Sequence, residues 1–162
     1  MFVFEELDAT TRGFMLREFD SEEAGTPYRS SVLSAAGLAA FPGIMRNAIQ
    51  SGNETTLYQA LANPLLWQQT DRGGRRVNAQ AAAERLAYTE FNTWYVRGLA
   101  ARLIAEGVEH CEVYRAARAD QPRCECAQYI GRLVPVLDVY NGHRARYWPA
   151  PGDPRAFSIP TG

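Results

Sequence analysis

Lysine is absent from this chain of 162 residues, and all 17 of its basic side chains are arginine. Absence across a whole surface fits the codon bias of a GC-rich genome. Selection for bidentate pairing would enrich arginine at particular sites without clearing lysine everywhere. Cysteine is also scarce, with Cys111, Cys124 and Cys126 the full set. An odd number, with no export signal at Met1 to Glu6, argues against a disulfide framework. No apolar run approaches the roughly 20 residues that a membrane-spanning helix needs. A basic excess is missing too: 18 acidic residues against 17 basic ones leave a net charge of −1. That balance speaks against a general nucleic-acid coat or a membrane-surface binder. The chain lacks a P-loop, an H-E-x-x-H pair and a G-x-S-x-G elbow, so no catalytic residue is nominated and a non-enzymatic role is expected. Neither an internal repeat nor a low-complexity tract is found. These readings predict a cytoplasmic setting with no membrane contact.

What remains is ordinary globular material, 46% hydrophobic and 22% charged, long enough for one domain with its own core. The pattern predicts an α+β fold. A helical part over residues 1–78 precedes a long central helix over 79–106. A strand hairpin region over 108–140 and an extended proline-rich arm over 141–162 follow. In the first part, Asp8 or Thr10 caps a short helix carrying Phe14, Met15 and Phe19, and Gly25-Thr26-Pro27 breaks it. Ser34 caps a helix from Ala35, with Pro42 predicting a kink or a split into two pieces. Asn53 caps another, carrying Leu57, Tyr58 and Leu61, which Asn63-Pro64 ends.

The central helix is the strongest local signal. Asn78 caps it, Gly107 closes it and no proline interrupts it, giving a rod of about 40 Å. Tyr88, Phe91, Tyr95, Leu99 and Leu103 form one apolar stripe; Ala87, Trp94 and Ala101 form another. So wide an arc implies burial on several sides, with Phe91, Trp94, Tyr95, Leu99 and Leu103 as core. Glu90, Thr93 and Arg97 make a narrow polar stripe, expected to face solvent or a partner. Gly98 costs about 1 kcal/mol against alanine in a helix, which implies a close neighbouring backbone. After Gly107 the period changes. Val108 to Tyr114 reads as a strand packing Cys111 and Val113. Leu133 to Val139 reads as a second strand, held to a sheet edge by Pro135.

Several features could carry function. The loop Thr70-Asp71-Arg72-Gly73-Gly74-Arg75-Arg76 reads as a flexible basic connector, or as a contact for phosphate or an acidic partner through Arg72, Arg75 and Arg76. Cys124-Glu125-Cys126 can bind a soft metal, with Cys111 and either His110 or His143 completing a tetrahedral zinc site. Its C-x-C spacing is shorter than zinc sites usually show. Otherwise the cysteines are small hydrophobes or a redox-prone pair. A His110–Cys111 dyad is disfavoured, because neighbours on a strand point to opposite faces. The run from Asn141 to Pro149 mixes Arg144, Arg146, Tyr147 and Trp148, a composition that suits a protein interface or stacking with single-stranded nucleic acid.

From about Ala83 onward the order of features resembles the Mu-type phage minor head proteins, the head-morphogenesis family. The residues concerned are Arg85-Leu86-Ala87-Tyr88-Thr89-Glu90 opening a long helix with Asn92, the break at Gly107, and a strand ending in Tyr114-Arg115. Cys124-Glu125-Cys126 ahead of Gly131 and a proline-rich approach to the C-terminus complete the series. The family carries a further Asn-Cys motif, which has no counterpart near Ser158 to Gly162. The resemblance implies a minor head protein or head–tail adaptor. Such a protein would work by contact with portal, major capsid or other virion proteins, or with further copies of itself. It would reside in the virion, and in the host cytoplasm during assembly. The alternative is a nucleic-acid-binding or regulatory module using Arg72, Arg75, Arg76, Arg144 and Arg146.

Overall fold

The computed structural model describes residues 3–25, 27, 29–114 and 130–147, and gives no account of the side chains of 143–147. Described elements are α1 (Ala9–Glu23), α2 (Ala35–Ser51), α3 (Glu54–Leu61), a 3₁₀ turn (Pro64–Leu66), α4 (Ala79–Ala105), β1 (His110–Glu112), β2 (Leu133–Pro135) and α5 (Val136–Tyr147). The described residues are mostly helical, with one small antiparallel strand pair among them, as the α+β reading expected. By contacts the chain forms two compact units. One is Met15–Trp94; the other joins Met1–Phe14 to Tyr95–Gly162.

In the unit Met15–Trp94 the helix ends follow the predicted chemistry. Ser34 Oγ accepts the Gly37 N–H at 3.1 Å and opens α2. Asn53 Oδ1 accepts the N–H groups of Thr55 and Thr56, and Thr56 Oγ1 accepts the Asn53 N–H at 2.8 Å, a reciprocal capping box. α2 runs unbroken through Pro42, where the sequence reading allowed two pieces. Burial of Phe41, Met45, Ala48 and Ile49 on one side of this helix offsets the hydrogen bond that proline forfeits. Gly37 is obligatory for another reason: a Cβ there would stand 2.1 Å from the Leu66 carbonyl oxygen. That approach lets the chain after α3 pair with the chain before α2. The Ser34 N–H donates to Leu66 O, the Gln68 N–H to Val32 O, and the Gln68 amide to Leu33 O. Trp67 is buried between, its Nε1–H donating to Leu61 O at 2.8 Å. Phe19 and Trp94 pack edge to face, with centroids 5.1 Å apart.

The other unit holds the end of α4. Val108 N–H donates to Leu103 O and Gly107 N–H to Ile104 O, with Gly107 at φ +75°. This is a Schellman stop, and the positive φ requires glycine there. β1 and β2 pair with Cys111 opposite Val134. The bonds Val113 N–H to Arg132 O and Val136 N–H to Glu109 O fix the alternation, so Pro135 sits opposite His110 at a position without ladder bonds. Its missing N–H therefore costs nothing, consistent with the edge placement expected for it. Both strands are shorter than the sequence reading: the first is His110–Glu112 where Val108 to Tyr114 was expected, and Val136 to Val139 is helical. Residues 141–147, expected to begin the extended arm, belong to α5 as well, and the rest of that arm lies outside the described residues.

The polar stripe of α4 needs the largest correction. Glu90, Thr93 and Arg97 are buried, Arg97 to 1% exposure, instead of facing solvent. Each is engaged by other groups, as burial of charge demands. Phe91, Trp94 and Tyr95 are buried as expected, while Leu99 and Leu103 are half-buried.

Candidate functional site: an arginine hairpin and its cleft

The segment read as a flexible connector is an ordered hairpin. Thr70 and Arg76 form an antiparallel bridge, and the Val77 N–H donates to Gln69 O at 2.9 Å. At the tip, the Asp71 N–H donates to Arg75 O and the Gly74 N–H to Asp71 O. Asp71 Oδ1 accepts from the backbone N–H groups of Gly73 at 2.8 Å and Arg75 at 2.9 Å. Gly74, at φ +76°, supplies the left-handed residue of a three-residue hairpin loop. The glycine pair therefore shapes a specific turn. The sequence cue that reveals this is an aspartate heading the turn, with glycine at the left-handed position.

The hairpin displays Arg72, Arg75 and Arg76, all exposed. Three guanidinium groups against the single carboxylate of Asp71 leave a local charge of +2. That carboxylate is turned inward on the loop backbone. Three arginines elsewhere pair with carboxylates: Arg29 with Glu23, Arg46 with Asp20, and Arg102 with Glu6, Asp8 and Glu106. Among the described residues, no such ion pair engages Arg72, Arg75 or Arg76. Beside the hairpin lies an open cleft of about 970 Å³, bordered by Pro64, Trp67, Gln69, Thr70, Arg76 and Val77. Asn78, the α4 cap, also borders it and accepts the Ala81 N–H at 3.1 Å. No acidic residue stands in the first turn of α4, so that rim carries no local negative charge.

The remaining candidates are dispersed. Cys111 is half-buried on the inner side of β1 with Val113, Val134 and Val139, and burial pushes its thiol pKa up. It packs as a small hydrophobe there. His110, on the opposite side of the strand, is exposed, as the argument against a dyad required. Cys124, Cys126 and Trp148 lie outside the described residues. His143, Arg144, Arg146 and Tyr147 lie on α5, with side chains outside the description. Among the described residues no group of three His, Cys, Asp or Glu side chains is arranged to hold a metal ion. No described helix is long and apolar enough to cross a membrane.

Sequence reasoning missed a second feature, a clasp on the N-terminal segment. Arg102 donates to Asp8 Oδ2 at 3.0 Å and to Thr11 Oγ1 at 2.9 Å, and reaches Glu6 Oε2 at 3.5 Å. Tyr95 OH accepts the Glu6 N–H at 3.2 Å, and Tyr114 OH donates to Val3 O at 3.1 Å. Backbone hydrogen bonding from Thr11, aided by Arg102, holds the Asp8 carboxyl below its ordinary value. Nothing local in the sequence signals these contacts between residues 89 or more positions apart.

No protein-family model, curated protein or solved structure matches this chain.

Proposed function

We propose that the chain is a structural component of a phage or prophage particle, a minor head protein or head–tail adaptor, acting in assembly by protein–protein contact. The observation that carries this reading is a pair of exposed leucines at β2 and the start of α5, on a strand pair whose outer side also carries His110 and Glu112. Leu133 is 70% exposed on β2 and Leu137 is 56% exposed on the first turn of α5. The pair of strands they adjoin has no third strand among the described residues. Exposed large apolar side chains beside a two-stranded sheet suit a partner surface that covers them. The resemblance of Arg85 to Glu90, and of the features after it, to the minor head family supports a particle as the place of action. Portal, major capsid or another virion protein, or a second copy, would then be the partner.

The test is incorporation into particles. Leu133→Asp combined with Leu137→Asp places charge on two exposed positions and should leave the fold intact. Loss of the folded variant from purified particles is the expected outcome; incorporation at the parent level contradicts the reading. A second reading, binding of nucleic acid, is favoured by the three hairpin arginines, and predicts affinity that falls steeply with salt.

A further inference from the structure

We infer that the arginine hairpin and its cleft form a receptor for an acidic, extended segment of a partner protein. The inference rests on the contact-driven reading above and gives it a second, chemically distinct surface. Three observations converge on it.

The first is charge held ready. Arg72, Arg75 and Arg76 are exposed, while the aspartate among them is spent on the turn, accepting from Gly73 and Arg75. Planar guanidinium groups engage carboxylates through paired hydrogen bonds. The second is rigidity. The bridge at Thr70 and Arg76 and the closed tip at Asp71 and Gly74 fix the backbone that carries these side chains. A partner therefore meets a positioned set of donors, with little ordering cost left to the loop.

The third is the character of the cleft. Pro64 and Val77 contribute apolar surface, and Gln69, Thr70 and Asn78 contribute amide and hydroxyl groups. An extended peptide needs that combination, with apolar side chains resting on Pro64 and Val77, backbone groups bonding to amides, and carboxylates reaching Arg76. A nucleic-acid backbone would use the guanidinium groups and leave Pro64 and Val77 without a role. The whole chain, at −1, also lacks the basic field that draws in a polyanion. Charge complementarity of the hairpin, set against the neutrality of the molecule, selects an acidic protein segment.

Fluorescence anisotropy on the full chain tests this with a fluorescein-labelled peptide of repeated Glu-Glu-Leu, a Gln-Gln-Leu control and a labelled DNA duplex. The acidic peptide should bind, the control should not, and affinity should fall between roughly 50 and 500 mM NaCl. The combined Arg72→Gln, Arg75→Gln, Arg76→Gln variant should lose about tenfold or more in affinity at an unchanged melting temperature. Gly74→Val keeps every charge and strains the turn, so it should weaken binding as well. Failure of the acidic peptide to bind, equal affinity in the triple variant, or equal affinity in Gly74→Val overturns the inference. Tighter binding of the duplex through the same arginines overturns it in favour of nucleic acid. The Leu133 and Leu137 surface is untouched by these variants, so its assembly role stands or falls separately.

Discussion

Two glycines of α2, Gly37 and Gly43, should respond oppositely to the same substitution. A Cβ at Gly37 meets the Leu66 carbonyl oxygen at 2.1 Å, a backbone atom that cannot step aside, whereas a Cβ at Gly43 meets nothing within 4 Å. Gly37→Ala should cost about 2–3 kcal/mol through forced repacking. Gly43→Ala should gain about 0.5–1 kcal/mol by restricting the unfolded chain and favouring helix. Urea denaturation of both variants checks the pair. Asp8 offers a pH test. Its folded pKa lies below the ordinary 3.8, so its contribution is present above that value and lost as pH falls through the depressed folded pKa. Asp8→Ala should flatten the acid limb of the stability profile below about pH 4; an unchanged limb would show that the clasp does not contribute. Single residues were also the most legible level of the sequence. Ser34, Asn53 and Asn78 cap as read, because a capping side chain acts on its own next turn. Asp71 went unrecognised because two adjacent glycines read as freedom, when Gly74 was meeting a turn requirement.

At the scale of elements, the long helix was readable from its cap, its closing glycine and its unbroken apolar pattern. It ends at Ala105, one residue short of expectation. Its polar stripe was not readable. Periodicity locates a polar face but cannot say whether that face meets water or other buried groups, and α4 is buried around Arg97. Arg97→Leu should therefore destabilise the protein by about 3–5 kcal/mol, the cost of removing a buried guanidinium from the groups that engage it. A surface position would lose within about 0.5 kcal/mol, and thermal unfolding distinguishes the two. The segment after Pro135 was misread for a related reason. Leu133, Pro135 and Leu137 alternate outward with buried Val134 and Val136, as a strand would, yet Val136 and Val139 also fit a helical stripe. Asp138 in the first turn of α5 favours the helix, since a carboxylate there meets the positive end of the helix dipole.

At the scale of the whole molecule, periodicity and caps indicated a mostly helical α+β fold, and the described residues are mostly helical with a small antiparallel strand pair. The contacts that tie distant chain segments were beyond the reach of local patterns. Arg102 holding Glu6 and Asp8, and the chain at Leu66 and Gln68 pairing with that at Val32 and Ser34, depend on three-dimensional closure. Of the candidate site, the arginines were legible and their ordered presentation was not. The proposed role gathers these features into a helical body with two contact surfaces: an apolar one around Leu133 and Leu137, and a cationic one at Arg72, Arg75 and Arg76. Both surfaces predict that the chain works inside an assembly. The most direct test is quantitative mass spectrometry of particles purified from a culture that produces this protein. The account predicts the chain at low copy beside portal and major capsid proteins; its confinement to the cell lysate, with none in the particles, would contradict it.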